Sequence, residues 1–473
     1  MYGLEAHTSL KFRIIELLDK TAMPLTSLEI QKAIGLASQT TILNCCHEIQ
    51  EMISQIYSEE AVSLLISPKY GIQLIRNSSS LQYLYDAFYS SDLLCEIAEK
   101  LIQKRQFSTN DFCEEHGVSV SKLKRKVKEA NKLLADYQIH VSVSSQATIK
   151  ADEIQMRMFS YGFLYGVHRQ FSQISWIDNK PEILTLAAKI LGYLHLEVTE
   201  QKIELLAISL YVQSVGIRLG KPVSFQRTQN MILTSLAIPE KPPFLPDWTE
   251  KDWQLLMTFI QSYEPFGFTK NLKPFPEEYE HRFMRISTSW ITSFEQFFLP
   301  LSPEKKLLAQ ELQRRELVSR NFFKMNENFF HIQDFTIGFK ENYPSYFNRF
   351  AAFWDQFMQH HELEITQEHL LFQNHLLICL YLCPIESILP ELKINLQSDL
   401  NFLLTHHLKE QIVISLKQTH QVQFVDSKEQ AQLVISTTPQ KIILTPAQQS
   451  LLVRLPFTYQ DRAVLQKIAH RIV

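Results

Sequence analysis

The sequence predicts a mainly α, multidomain protein: two N-terminal winged helix-turn-helix units, two larger helical units and a small C-terminal α/β domain. Three observations point there. Glycine is scarce, at 11 of 473 residues, which disfavours the glycine-rich phosphate turns of nucleotide-binding α/β enzymes and favours helices. A pattern of three helices and a hairpin occurs twice in roughly the first third of the chain. Beyond Pro390 short aliphatic runs alternate with helical segments, the texture of a small α/β domain. The chain is also too long for one ordinary core, and its segments divide at 1–88, 89–153, 154–272, 273–390 and 391–473.

The first unit opens on an apolar stripe at Leu10, Ile14, Leu17 and Leu18. Thr26 or Ser27 then caps a short helix ending near Gly35, and Ser38 caps a third that runs to Ile53 with Ile42, Cys45, Cys46 and Ile49 at helical spacing. Val62–Ile66 and Ile72–Ile75 flank the turn Ser67-Pro68-Lys69-Tyr70-Gly71 and form the wing. The second copy has a helix over Ser90–Lys104, a short helix ending at His116, a turn at Gly117 and a helix capped by Ser119, with its wing in Ile139–Lys150. Here Cys113, Gly117 and Leu123 stand where a helix-turn-helix needs a small packed residue, a tight turn and a buried aliphatic. In the first copy Gly35 fits, whereas Gln31 and Thr41 stand where small and aliphatic residues are expected.

Residues 154–390 read as helices, interrupted by the proline-rich stretch Ile238–Pro246. In the last domain Leu392–Leu396, Ile412–Leu416, Val422–Val425, Leu433–Ser436 and Ile442–Leu444 read as strands, and Thr458–Ile472 as a closing helix.

The function classes narrow in the same way. No basic and apolar leader opens the chain, and the most membrane-like run, Leu376–Cys383, falls far short of the roughly 20 residues that span a bilayer. Six cysteines without CxxC spacing fit a reducing compartment. A cytoplasmic protein away from membranes is expected. No GxxxxGK[ST] or GxGxxG occurs, and the pairs His360-His361 and His406-His407 point apart on a helix without further ligands nearby. No catalytic set, metal site or cofactor is expected, and the chain does not read as an enzyme.

The sharpest functional feature is electrostatic. The chain carries a net charge of −3, yet Ser119–Lys132 holds six cations against one anion, Glu129. On a helical wheel Val120, Leu123, Val127, Ala130 and Leu134 form the core stripe. Ser121, Lys124, Arg125, Lys128 and Lys132 then face outward, with Lys122 and Lys126 on one flank. An ordinary solvated helix face mixes signs for i to i+4 pairing; one of a single sign on the third helix of a winged unit faces duplex DNA. The equivalent helix of the first unit has no Lys or Arg from Ser38 to Ile53. Its outward Gln39, Thr40, Asn44 and Gln50 suit base edges, with a packing or dimerisation role as the alternative. In its wing Lys69 and Arg76 are phosphate candidates, with solvated surface as the alternative.

The order of these parts, with Phe112–Val127 the most specific stretch, resembles the Mga/AtxA family of virulence transcription regulators from Gram-positive bacteria. The resemblance implies that the helical pair are phosphotransferase-system regulation domains and that the last domain is similar to an enzyme IIB subunit, serving dimerisation. It further implies a homodimer on double-stranded DNA, tuned by histidine phosphorylation from the phosphocarrier protein, with candidates at His168, His195, His281, His331 and His375. A working IIB subunit carries a phosphocysteine in the loop after its first strand. Here that loop reads Leu396-Gln397-Ser398-Asp399, and no cysteine follows Cys383, so this domain is expected to be a scaffold. An RNA-binding antiterminator shares the regulatory domains but begins with a short β-rich RNA module. A phosphotransferase-system enzyme component would need the missing cysteine.

Overall fold

The computed structural model of the chain describes residues 4–35, 37–77, 79–262, 273–322, 335–359, 368–417, 419–439, 444–446 and 448–472. Contacts divide the chain into two compact units, Met1–Glu277 with Arg314–Gln333, and Glu278–Gln313 with Asp334–Val473. Among the described residues the fold is mainly helical, with three small sheets. The boundary expected near 272 and the pair His360-His361 lie outside the described residues.

The first unit begins with α1 (Ala6–Asp19), α2 (Ser27–Ile34) and α3 (Gln39–Ile56), followed by the antiparallel hairpin of β1 (Val62–Ser67) and β2 (Gly71–Arg76). Local chemistry sets the ends of α2. The Thr26 hydroxyl accepts from the Glu29 amide while the Glu29 carboxylate accepts from the Thr26 amide, a reciprocal cap. Gly35 then ends the helix at φ +69°, a left-handed conformation that glycine adopts without steric cost. Ile14, Ile30, Ile42, Cys46 and Ile49 are buried in the core of this copy. Leu25 pairs with Ile72 through two backbone hydrogen bonds of 2.9 and 2.7 Å, adding a one-residue third strand to the wing.

After α4 (Gln82–Ser90) the pattern recurs as α5 (Leu93–Lys104), β3 (Gln106–Ser108), α6 (Thr109–Glu115), α7 (Val120–Leu134), β4 (His140–Val143) and β5 (Gln146–Lys150), with sheet order β3-β5-β4. The helix expected from Ser90 instead starts at Leu93, because Asp92 caps it through the Leu94 amide at 2.9 Å. The other Asp92 oxygen accepts from the Glu5 amide at 2.8 Å. Neither α4 nor β3 was expected from the sequence.

The helical remainder of this unit holds α8 (Glu153–His168), α9 (Lys180–Tyr193), α10 (Glu200–Arg218), α11 (Arg227–Leu233) and α12 (Glu250–Ser262). All of α8 except Glu153 and Tyr165 is buried, as expected of a helix apolar on nearly every side. Its Arg157 is fully buried and fully engaged. The guanidinium donates to Glu153 at 2.9 Å, to Asp252 at 2.6 Å, to the Lys221 carbonyl at 3.0 Å and to Gln213. Gly216 makes room for this cluster, since a β-carbon there would lie 2.5 Å from Glu153 Oε1.

The second unit contains most of α13 (Glu277–Phe297), the start of α14 (Pro303–Phe322), then α15 (Phe335–Asn342), α16 (Pro344–Gln359) and α17 (Glu368–Leu382). They share an aromatic core that includes Trp290, Phe294, Phe350, Phe353 and Trp354. Next come β6 (Glu391–Gln397), α18 (Phe402–Leu416), β7 (Gln421–Phe424), β8 (Leu433–Ser436), β9 (Gln449–Leu452) and α19 (Tyr459–Ile472). The sheet is wholly parallel, in the order β7-β6-β8-β9. Ile412–Leu416, read as a strand, is the end of α18: Leu408, Ile412 and Leu416 are buried at intervals of four while Ile414 is exposed. The strand expected at Ile442–Leu444 falls largely outside the described residues, and the fourth strand is β9.

Candidate nucleic-acid interface

The helix that carries the cations is positioned from both ends. The Ser119 hydroxyl caps α7 by accepting from the Lys122 amide at 3.1 Å. Gly117, at φ +61°, turns the chain out of α6, and the Val118 amide closes that turn on the Cys113 carbonyl at 2.9 Å. Cys113 and Leu123 are both buried. The Asn131 side chain grips the Val141 backbone through two hydrogen bonds of 2.7 and 2.8 Å, so helix and wing present one rigid surface.

On that surface Ser121, Lys124, Arg125, Lys128 and Lys132 are exposed. Among the described residues none of the four cations has an ion-pair partner, so their charges add. Lys122 is half-buried, with its ammonium 3.2 Å from Glu5. Lys126 does not join the face. It is buried, its ammonium 3.7 Å from Glu129, because a residue three after Leu123 shares the core side of the helix and a lysine there can only lead its ammonium back out along the surface. Val120, placed in the core stripe, is half-buried.

The first copy is built alike and charged differently. Gln39, Thr40 and Asn44 are exposed on α3, but Gln50 donates to the Leu64 carbonyl at 2.7 Å and braces the wing instead of facing outward. Glu48 accepts from Lys11 at 2.8 Å and from His7 at 2.7 Å. Burial raises its pKa, but these two partners outweigh burial and hold it below the usual range. In the wing Lys69 is exposed, 5.1 Å from the centre of the Tyr70 ring, while Arg76 is taken by Asp19 at 3.0 Å.

Residues 77–164 match the family model of the Mga helix-turn-helix domain. No curated protein matches the chain. The Mga-type region starts before α4, takes in the whole second winged copy and runs most of the way along α8. It therefore contains every exposed cation of α7 and supports a DNA-binding regulator.

The second winged copy, with α4 before it, is also bolted to α8, the helix that follows it. Arg105, at φ +62° after α5, places its guanidinium 3.3 Å from Glu153 on α8. His168, the last residue of α8 and 5% exposed, lies 2.9 Å from Asp86 on α4 and 3.5 Å from Glu99 on α5. Burial disfavours the charged ring, but the two carboxylates outweigh it and push its pKa up to about 9. A cation clasped by two carboxylates is a tie between segments, and a phosphoryl group there would meet like charge on two sides. Sequence reasoning had no means of finding this tie, since Asp86 and Glu99 lie far from His168 along the chain.

The other histidines fall into distinct settings. His195 is exposed at φ +55°, just past α9, with its amide on the Gly192 carbonyl at 3.1 Å. His281 is exposed on α13. His375 is buried on α17 among Trp290, Trp354 and Phe357. His331 lies outside the described residues. In the loop after β6 the Asp399 carboxylate accepts from the Thr437 hydroxyl at 2.6 Å. Among the described residues no cluster of His, Cys, Asp and Glu could hold a metal ion, and no helix is long and apolar enough to cross a membrane.

Proposed function

We propose that the chain is a transcription regulator of the Mga type that binds double-stranded DNA as a homodimer, acting in the cytoplasm by binding and not as an enzyme, without a cofactor. The observation that carries this reading is the unpaired single-sign face of α7, Lys124, Arg125, Lys128 and Lys132, on a rigid helix inside the region that matches the Mga helix-turn-helix domain. Such a face gains affinity by displacing counterions from phosphates, and the wing fixed to it sets its orientation on the duplex. Ser121 and Lys122 complete the contact set on α7, and Gln39, Thr40 and Lys69 contribute from the first copy.

In this reading residues 154–272 and 273–390 are phosphotransferase-system regulation domains, residues 391–473 are the IIB-like dimerisation domain, and the genes controlled serve virulence or carbohydrate metabolism. Dimerisation is supported by the apolar residues that α18 exposes, among them Phe402 (80% exposed), Leu403 (75%) and Ile414 (56%), which are costly to leave in water. Phosphorylation by the phosphocarrier protein is best supported at His195, which is exposed beside a helix end. Its left-handed backbone matters for any test, because Asp tolerates that conformation better than Ala. His195→Asp is therefore compared with His195→Asn, which keeps the backbone preference without the charge.

The deciding experiment titrates the full chain with duplex DNA and with hairpin RNA over a salt series. The reading requires duplex to bind more tightly, with a steep loss of affinity as salt rises; a preference for the hairpin would replace it with the antiterminator reading.

A further inference from the structure

A cavity of about 190 Å³ in the second unit lies where the first turn of α16 meets the end of α18 and the end of α19. Roughly 10–15 Å³ measured this way holds one water, so a polyatomic ligand fits. Its wall includes Tyr343, Ser345 and Tyr346 from the start of α16, and Thr419, His420 and His470 from the opposite side. Among the described residues no carboxylate and no Lys or Arg lines it.

Two independent features of this wall favour an oxyanion. The first is the start of α16, a helix of 16 residues that opens on Pro344, whose Ser345 and Tyr346 amides have no acceptor within the helix and carry the positive end of its dipole. The second is His420, 4% exposed, whose Nε2 has no hydrogen-bond partner. A buried polar nitrogen without a partner is expensive, and one on the wall of a cavity is satisfied by whatever donor occupies that cavity. The network also sets the form of the ring. The Thr419 hydroxyl donates to the Leu416 carbonyl at 3.2 Å, so the ring Nδ1, 3.0 Å from that hydroxyl oxygen, is left to donate to it. Burial, reinforced by His470, pulls the His420 pKa down, so the ring is neutral at pH 7 and Nε2 presents a lone pair.

We propose that this cavity binds a phosphate-class oxyanion, free or as a monoester, with its anionic oxygens on the first-turn amides of α16 and its proton-bearing oxygen donating to His420 Nε2. A monohydrogen phosphate or a singly protonated monoester supplies both groups at once. Sulfate supplies the charge without the proton and fits only half of the site. The site is built wholly from residues of the second unit and does not depend on the proposed function.

The test is isothermal titration of the full-length protein with inorganic phosphate, glycerol phosphate and sulfate. Saturable binding of inorganic phosphate or glycerol phosphate, at least about tenfold tighter than sulfate, is expected from one charge-assisted hydrogen bond. Tighter binding of glycerol phosphate identifies a monoester as the ligand; equal affinities identify the free ion. His420→Ala lowers affinity at least about tenfold on the same ground. Because His420 is buried, Ser345→Asp is the second variant: an acidic residue in the first turn favours the helix and repels the anion, so it keeps the fold and abolishes binding. No saturable heat with either phosphate compound, sulfate binding as tight as phosphate, or wild-type affinity in Ser345→Asp would overturn the proposal.

Discussion

The two winged copies have the same frame and opposite electrostatics. Each orders three helices and a hairpin, and each adds a strand before its second helix, reduced to the single pair Leu25–Ile72 in the first copy and extended to β3 in the second. Each turns on a left-handed glycine, Gly35 or Gly117. Yet α3 carries no Lys or Arg and spends Glu48 on Lys11 and His7, whereas α7 leaves four cations exposed. The second copy is also the one clasped to α8, through Arg105 and His168. The frame alone does not make a phosphate-binding surface; what differs is which side chains are left without an internal partner.

The largest expected effect tests the clasp. Arg105→Ala leaves Arg157 as the one cation against the two carboxylates Glu153 and Asp252 and is expected to destabilise the protein by about 3 kcal/mol, as does breaking one side of a buried pair. Lys11→Ala in the first copy, whose partner Glu48 is half-buried, costs about 1 kcal/mol. Denaturant midpoints check this, and equal losses in the two copies would erase the distinction between a clasped and a loosely braced unit.

A smaller effect follows from His168. Its folded pKa of about 9 lies above the value of about 6.5 for an unfolded chain. Its contribution to stability is therefore fully present below about pH 6.5 and is lost as pH rises through about 9. Thermal midpoints of the wild type measured from pH 6.5 to 9.5 should fall more than those of His168→Gln. Parallel curves would show that the Asp86–His168–Glu99 contact is not ionic.

The smallest effect is expected at α3. Gln39→Ala with Thr40→Ala should leave the salt dependence of duplex binding unchanged and lower affinity less than about tenfold, since neutral contacts to base edges release no counterions. Fluorescence anisotropy on a random-sequence duplex checks it, and a flattened salt slope would mean that the first copy supplies phosphate contacts after all.

Much of this architecture was legible in the sequence because its signals are local. Caps at Thr26, Ser38 and Ser119, and glycines at turns, name their own positions. Short elements without such punctuation were missed, as with β3 and with β9, whose Gln449–Leu452 lacks alternation. The aliphatic run Ile412–Leu416 misled until Leu408 is counted with it, which restores the helical spacing. At the candidate interface the outward face of α7 is readable from the wheel except for Lys126, a charged residue on the flank that folding buries on the core side. The His168 clasp and the unpaired His420 nitrogen were not readable, because both depend on partners brought together only by folding.

The central claim is that α7 reads duplex DNA through its exposed cations, and the most direct measurement is the salt slope of duplex binding for the wild type and for Lys124→Ala with Lys128→Ala. Folding should be unchanged, since both side chains are exposed. The double variant is predicted to bind every duplex more weakly and to flatten the slope of log K against log salt by about 0.9 per lost contact, about 1.8 for each chain engaged. Wild-type affinity and slope in the double variant would contradict it.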